Sequence, residues 1–278
     1  MQRQLTTEEI GKIVEMYDQE IPVTEIVEIF SVTKSAVYRR LRQIKGPLGK
    51  ERTVIKRKYT VDESFFEVID TPDKAYVMGW FYSDGSNDLS RYTASISLAE
   101  NNSDALYKIR DVIGSNAEIK ISQCYSWQRQ FRLSIYNKVV STQIARLGIS
   151  GNVTYTRTWP EWLSEELQPY FIRGLIEGDG YVSARDSRSY CTGYSGTIMM
   201  CEALGKILDK QNIRYRLNRG KKVNCNLRIT RHADTVRFLD YIYEDATIYL
   251  DRKYANYLRI KEFAKAKEEK DNRDSIAA

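Results

Sequence analysis

Two stretches of the chain share one pattern of apolar positions, glycines and a closing acid. Residues 74–85 read Lys-Ala-Tyr-Val-Met-Gly-Trp-Phe-Tyr-Ser-Asp-Gly, and residues 169–180 read Pro-Tyr-Phe-Ile-Arg-Gly-Leu-Ile-Glu-Gly-Asp-Gly. At one constant offset, the matching pairs are Gly79 and Gly174, Asp84 and Asp179, and Gly85 and Gly180. Each stretch predicts a mostly apolar helix that contains a glycine and ends at Asp-Gly.

The repeated glycine indicates that the two helices pack against each other. Glycine inside a helix costs about 1 kcal/mol relative to alanine, and small residues allow two backbones to approach closely. If the helices pack in parallel, Asp84 and Asp179 meet at their C-terminal ends. Two such carboxylates repel unless a cation lies between them, and a divalent metal suits oxygen ligands. The alternative is two core helices that only happen to end in Asp-Gly turns.

Alternating apolar and polar positions follow each repeat and predict strands. In the first half we predict strands over 91–98, 118–122 and 130–135, with helices over 103–113 and 137–147. Tyr92, Ala94, Ile96 and Leu98 would face the core together. In the second half we predict a hairpin over 183–197, strands over 213–218 and 224–231, and helices over 199–211 and 233–243. Each half is therefore an αββαββα unit, and the fold class is α+β.

The other face of each predicted sheet is polar and rich in arginine. A solvated face is the ordinary interpretation of such a pattern. The repeat and the arginines favour base contacts in a DNA major groove, where Arg pairs with guanine and Asn or Gln with adenine. The candidate contacts are Arg91, Thr93, Ser95, Lys120, Arg132, Arg185, Arg214, Arg216, Asn226 and Arg228.

The first 45 residues predict a small helical module. Thr6 or Thr7 can cap a first helix, Ile21-Pro22 ends it, and Thr24 begins a second that ends near Phe30. A third helix runs from Lys34 to Ile44 after a short polar turn, which is typical of a helix-turn-helix. Its candidate DNA contacts are Lys34, Ser35, Tyr38, Arg39, Arg40 and Arg42. The segment resembles the resolvase-type and transposase-type helix-turn-helix modules; a three-helix packing module with a charged face is the alternative.

Positive charge is concentrated in the third helix of this module and in the residues that follow it. The chain has a net charge of +6, and residues 34–58 contain ten Lys or Arg against one acid, Glu51. Such a block suits a polyanion, since each neutralised phosphate releases counterions. We expect Lys56, Arg57 and Lys58 to contact the DNA backbone, with a solvated linker as the alternative.

The cysteine and histidine content and the lack of long apolar segments argue against a zinc site and a membrane or secreted protein. The four cysteines, Cys124, Cys191, Cys201 and Cys225, lack the spacing of a structural zinc site, and His232 is the single histidine. We expect free thiols. Neither a signal peptide nor an apolar run of about 18 residues is present, which predicts a cytoplasmic protein, associated with the nucleoid if it is bacterial or phage-encoded.

From Asp62 to about Lys261 the chain resembles the LAGLIDADG homing endonucleases, in the single-chain form with two motif copies. The resemblance implies two sheets forming a saddle over a long, asymmetric duplex DNA site. It implies that Asp84 and Asp179, with backbone carbonyls at the motif ends, hold Mg²⁺ or Mn²⁺. Metal-bound water would attack one phosphate on each strand across the minor groove and leave staggered 3′ overhangs. A monomer is expected, because one chain carries both copies, and a mobile genetic element such as an intron is the expected host.

That family also supplies a basic residue near each metal. In the second half the match is Lys253, within Tyr249–Tyr254, although it could instead pair with an acid on its own helix. In the first half the position falls at or near Val153, which departs from the family pattern. Arg157 or Lys138 are the candidate replacements.

Three alternatives stay open at this point. Asp111, Glu118 and Lys120 mimic a restriction-type nuclease pattern, but the strand alternation explains them as surface residues. The same fold could serve a regulator that binds DNA without cutting, although such a binder has no use for two facing acids. It could also serve a maturase that binds intron RNA. The expected domains are a helix-turn-helix over 1–45, a basic linker over 46–61, two LAGLIDADG halves over 62–160 and 161–264, and a charged, solvated tail over 265–278.

Overall fold

The computed structural model describes residues 5–46, 59–123, 129–151, 156–220 and 223–276. Contacts divide the chain into two compact units, Met1–Lys58 and Tyr59–Ala278. Each unit has a hydrophobic core of its own. Residues 47–58, which make up most of the predicted linker, lie outside the described residues.

Three helices form the first unit: α1 (Thr7–Asp18), α2 (Val23–Phe30) and α3 (Lys34–Lys45). Thr6 caps α1 through a capping box, in which its side chain accepts from the backbone of Glu9 and its backbone donates to the Glu9 carboxylate. The turn between α2 and α3 passes through a left-handed residue, Ser31. The predicted helices are thus confirmed, and they bury Ile13, Ile26, Phe30, Val37 and Leu41 against one another.

The second unit contains two halves with the same order of elements. The first half comprises α4 (Pro72–Ser83), β1 (Gly85–Asp88), β2 (Thr93–Ala99), α5 (Asp104–Val112), β3 (Lys120–Ser122), β4 (Gln130–Tyr136) and α6 (Lys138–Arg146). The second comprises α7 (Gln168–Asp179), β5 (Gly180–Asp186), β6 (Ser189–Thr197), α8 (Ile198–Lys210), β7 (Arg216–Arg219), β8 (Asn224–Ile229) and α9 (His232–Tyr243). A long helix, α10 (Asp251–Ile276), follows.

Each half builds one antiparallel sheet of four strands. The orders are β1-β2-β4-β3 and β5-β6-β8-β7, so the second sheet repeats the first. Ala94, Ile96 and Leu98 of β2 are buried, and their neighbours across β4, Phe131, Leu133 and Ile135, are buried as well. This topology confirms the α+β class and the repeated αββαββα unit.

Four details differ from the sequence prediction. Arg91 and Tyr92 belong to the turn between β1 and β2, where Tyr92 has a φ of 50° and is 40% exposed. The short polar strand β1 was not predicted. Ile121 is 51% exposed, because β3 is an edge strand, and Arg214 precedes β7. The predicted charged, solvated tail is helical, because α10 continues to Ile276, and the side chains of residues 265–275 are exposed.

Helices α4 and α7 occupy the centre of the second unit. All residues from Ala75 to Tyr82 and from Phe171 to Glu177 are buried. A helix covered on all sides needs apolar residues around its whole circumference, which explains why neither shows the single apolar stripe of a surface helix. Within the described residues, none of the helices has the length and apolar character to cross a membrane.

Candidate active site

Helices α4 and α7 touch backbone to backbone at the two matched glycines. A Cβ at Gly79 would lie 2.3 Å from the carbonyl oxygen of Phe171 and 2.9 Å from Cα of Gly174. Reciprocally, a Cβ at Gly174 would lie 2.4 Å from the carbonyl oxygen of Tyr76. The near equality of these distances shows a contact with local two-fold symmetry, in which no side chain fits between the helices.

The helix pair brings its two terminal acids together. Asp84 caps the C-terminus of α4, and Asp179 is the last residue of α7. Gly178 packs against the end of α4, since a Cβ there would lie 2.0 Å from Oγ of Ser83 and 2.6 Å from Oδ2 of Asp84. Gly85 and Gly180 then begin β1 and β5, so each acid lies where a central helix turns into a sheet.

The two carboxylates influence each other's ionisation. Partial desolvation in the cleft and repulsion from Asp84 raise the pKa of Asp179 to about 6, although its side chain still reaches the surface. Desolvation also raises the pKa of the half-buried Asp84, while Lys253 and Arg157 act in the opposite direction. In the described part of the chain, neither acid forms a salt bridge. The two carboxylates therefore form a negative site at the joined helix ends, with Lys253 and Arg157 nearby.

This donor set fits a divalent metal. Hard cations such as Mg²⁺ take carboxylate, carbonyl and water oxygens and are commonly held by only one or two protein carboxylates. Among the described residues, no cluster of three or more His, Cys, Asp or Glu side chains could hold a metal. The site thus offers Asp84 and Asp179 alone, and the remaining ligands would come from backbone, water or substrate oxygens.

Lys253, the predicted basic residue of the second half, lies at the end of α7. Its Nζ donates to the carbonyl oxygens of Ile176 and Glu177, both at 2.7 Å, and of Gly180 at 2.6 Å. An ammonium has three N–H groups, so all of them are used. Burial, with a smaller contribution from Arg252, lowers the pKa of Lys253 to about 8. The pairing with an acid on its own helix is not what the structure shows; Lys253 caps α7 and fixes the turn that carries Asp179.

We expect Lys253→Met to lower the free energy of unfolding of the second unit by about 1–3 kcal/mol, because buried carbonyls would lose their donors. Chemical denaturation followed by circular dichroism measures this difference. Lys261→Met is the matched control on the same helix: Lys261 pairs with Asp240 at the surface, and its loss should cost less than about 1 kcal/mol. Equal stability of the two variants would contradict the capping role.

Arg157 is a second basic residue near the two acids. Its guanidinium interacts electrostatically with both Asp179 and Asp84, and desolvation lowers its pKa. It lies 5.6 Å from the ring centroid of Tyr82, and its Nε has no hydrogen-bond partner within the described residues. Lys138 is elsewhere, with Nζ 5.5 Å from the ring of Tyr92, and Val153 lies outside the described residues. Of the two candidate replacements, Arg157 is the one beside the acids.

Two recesses share Arg157, and Asp179 lines the smaller of them. The larger, of about 950 Å³, lies on the first sheet and collects predicted DNA contacts, namely Arg91, Thr93, Ser95, Lys120 and Arg132. The smaller, of about 350 Å³, is lined by Asp179 and Asn226, among others. The other predicted contacts of the second half are exposed: Arg185, Arg214, Arg216 and Arg228.

In the first unit, the predicted contacts lie along α3. Lys34, Ser35, Arg39 and Arg42 are exposed. Tyr38 packs partly on the core, and Arg40 donates to Oε1 of Gln43 at 2.8 Å. Lys56, Arg57 and Lys58 lie outside the described residues.

A buried polar network in α7 was not predicted. Glu177 is fully buried and accepts from Oη of Tyr76 on α4 at 2.6 Å, while the buried Arg173 donates to the carbonyl of Ile242 at 3.0 Å. The guanidinium also lies 5.1 Å from the ring of Tyr76. The sequence did contain a sign of this network: Arg173 and Glu177 are charged residues within an otherwise apolar repeat, and buried charges require partners. The network links the two central helices.

A family match covers most of the first unit. A family model described as the helix-turn-helix domain of resolvase matches residues 2–43. No curated protein matches the chain.

Solved structures are similar over much of the chain. The I-LtrWI LAGLIDADG homing endonuclease bound to target DNA is 12% identical and has a TM-score of 0.49, over 71% of this chain and 91% of that one. I-SmaMI bound to an uncleaved DNA target in the presence of calcium ions is 11% identical, with a TM-score of 0.46 over 73% and 93%. Full-length DUF199/WhiA from Thermatoga maritima is 16% identical, with a TM-score of 0.47 over 78% and 72%. This chain is similar in structure to LAGLIDADG homing endonucleases and carries a resolvase-type helix-turn-helix segment at residues 2–43.

Proposed function

We propose that this chain is a site-specific DNA endonuclease that depends on a divalent metal and cuts both strands of a long, asymmetric site. The observation that carries the proposal is the meeting of Asp84 and Asp179 at the joined ends of α4 and α7, with no salt bridge to either acid from the residues that the structure describes. A protein that only binds DNA gains nothing from two carboxylates that repel each other and repel phosphate. A phosphodiesterase needs such acids, because they hold cations against a polyanionic substrate.

The neighbouring groups support phosphate chemistry. When bound, Mg²⁺ or Mn²⁺ would polarise a phosphate and favour ionisation of water. Arg157, between the two recesses, can bind phosphate oxygens through its guanidinium and stabilise the charge that develops during hydrolysis. Lys253, with its N–H groups engaged by α7, holds Asp179 in place. The predicted catalytic role of Lys253 thereby becomes one of positioning.

Substrate binding is assigned to the polar sheet faces and to α3. Exposed arginines and hydroxyls on antiparallel strands can contact phosphates and base edges of duplex DNA. The exposed basic residues of α3 suit a second, separate contact with the same duplex. Because a single chain contributes both acids and both sheets, we propose that the active form is a monomer.

Selection for bound and then cleaved DNA tests the proposal. Duplexes with a randomised segment are first enriched for binding in Ca²⁺, and the enriched pool is then incubated with Mg²⁺ or Mn²⁺, with EDTA as control. We expect one preferred site, cut on both strands with short 3′ overhangs only when Mg²⁺ or Mn²⁺ is present. Tight binding without cutting would replace the proposal with a DNA-binding regulator. Preference for a structured intron RNA over every duplex would replace it with a maturase.

A further inference from the structure

The two sheets have the same topology but carry different chemistry on their polar faces. On the first sheet that face carries the hydroxyls of Ser86, Thr93 and Ser97, the buried hydroxyls of Ser95 and Ser134, and three exposed long side chains, Lys120, Gln130 and Arg132. The corresponding face of the second sheet carries fewer hydroxyls, among them Ser195 and Thr197, and more arginine and asparagine: Arg216, Arg228, Asn218, Asn224 and Asn226. Arginine and asparagine can each make two hydrogen bonds to one purine, whereas serine makes one and tolerates any base.

Arg228 on the second sheet is held by a neighbour. Its Nε donates to Oη of Tyr181 at 3.2 Å. Tyr181 reaches this position because residue 193, the strand partner of Arg228, is glycine; a Cβ there would lie 2.8 Å from the Tyr181 ring. Using Nε leaves the Nη1–Nη2 edge for a base, and the thiol of Cys191 beside the guanidinium is only a weak acceptor. Arg228 is thus oriented before any ligand arrives.

Asn226 is oriented in a similar way. Oγ of Ser195 donates to its Oδ1 at 2.5 Å, which defines the direction of the amide and leaves Nδ2 and a second lone pair of Oδ1. The first sheet differs. There Arg132 donates through Nη2, a terminal nitrogen, to Oγ of Ser95 at 2.7 Å, and that hydroxyl also contacts Ser86. Part of the edge that would pair with guanine is therefore occupied.

Resting on the proposed function, we propose that the chain reads its two half-sites unequally. The second sheet recognises purine edges directly, with Arg228 contacting a guanine and Asn226 an adenine. The first sheet holds its half-site with less base preference, because its Arg132 is engaged by Ser95, and it contacts mainly the DNA phosphates. Tyr181 is a positioning residue, because it acts on the base through Arg228.

Binding selections under non-cleaving conditions test the inference. Duplexes randomised over both half-sites are selected in Ca²⁺ with the unmodified chain, Tyr181→Phe, Arg228→Lys and Arg132→Lys. We expect one half-site to show stronger base preference, with a guanine preference at one base pair that Arg228→Lys and Tyr181→Phe both relax by about tenfold. Affinity for unrelated duplex should stay within about twofold in these two variants, since the phosphate contacts remain. Tyr181→Phe keeps the ring over Gly193, so a purely structural role would leave the base preference unchanged.

Arg132→Lys on the first sheet is the matched control. We expect it to weaken binding to all sequences alike. Equal base preference in the two half-sites, or a uniform loss of affinity in Arg228→Lys, would overturn the inference. The readout does not depend on cutting: a chain that binds unequal half-sites but never cleaves refutes the endonuclease alone. A chain that cleaves with equal half-sites refutes only this inference, and absence of sequence-specific DNA binding refutes both.

Discussion

Replacement of Asp84 or Asp179 by asparagine is expected to abolish DNA cleavage, a loss of more than about 10³-fold, while sequence-specific binding is retained. Asparagine keeps the shape of the side chain but removes the negative charge that would hold a divalent cation. Because the two acids lie together and would share the bound metal, each is expected to be needed for cutting both strands. Nicking assays on a supercoiled plasmid that carries the selected site distinguish loss of one cut from loss of both.

The thermal stability of the asparagine variants tests independently whether the acids have a functional or a structural role. The raised pKa of Asp179 means that ionisation of this carboxyl opposes folding as the pH rises from 3.8 to about 6 and above. Asparagine removes that cost, so without metal the melting temperature of Asp179→Asn at pH 7 should be no lower than that of the unmodified chain. A variant that lost activity together with stability would point to a structural role.

Asp186→Asn is the matched control for both readings. Asp186 is exposed at the end of β5, where it accepts from the backbone of Arg188, and it lies in the same half as Asp179. We expect its replacement to leave cleavage within about twofold, as for surface changes away from a site. Cleavage by Asp84→Asn or Asp179→Asn at the rate of this control would exclude a role for the two acids in metal binding.

The sequence was most informative where one local pattern determined the structure. The repeat around Gly79 and Gly174 predicted two central helices, and strict alternation predicted β2 and β4. Strand β1 escaped prediction because Gly-Ser-Asn-Asp has no apolar alternation, and its pairing with β2 stabilises it instead. Strand pairing is tertiary, and local propensity gives little indication of it.

Contacts between distant segments explain what was missed in the site. Lys253 was predicted near Asp179, but its role as a cap depends on carbonyls of a helix more than seventy residues earlier. Arg157 and Lys138 were equivalent sequence candidates for the basic residue of the first half. Only the tertiary structure shows that Arg157 lies near the acids and Lys138 does not. The hydrogen bond between Tyr181 and Arg228 likewise depends on the register of two strand pairs, which a short-range sequence pattern does not predict.

Gly174→Ala is expected to destabilise the second unit by about 3 kcal/mol or more, at the upper end of what overpacking costs. The added methyl would lie 2.4 Å from the carbonyl oxygen of Tyr76 and 2.9 Å from Cα of Gly79. Both are backbone atoms of α4, so no side chain can rotate away and the helices would have to separate. Because these helices form the centre of the core, their separation loosens both halves. Urea denaturation followed by circular dichroism measures the change.

Gly205→Ala is the control that separates crowding from helix propensity. Gly205 is also a buried glycine within a helix, α8, but a Cβ there would meet the phenol of Tyr215 at 2.6 Å, a side chain that can move. Alanine is favoured over glycine in a helix by up to about 1 kcal/mol, so this variant should stay within about 1 kcal/mol of the unmodified chain. If Gly174→Ala were equally well tolerated, the backbone contact could not be what sets the helix spacing. If Gly174→Ala is destabilised as expected, the contact sets the spacing of α4 and α7, and with it the distance between Asp84 and Asp179. Any Gly174→Ala protein that still folds should then have lost cleavage.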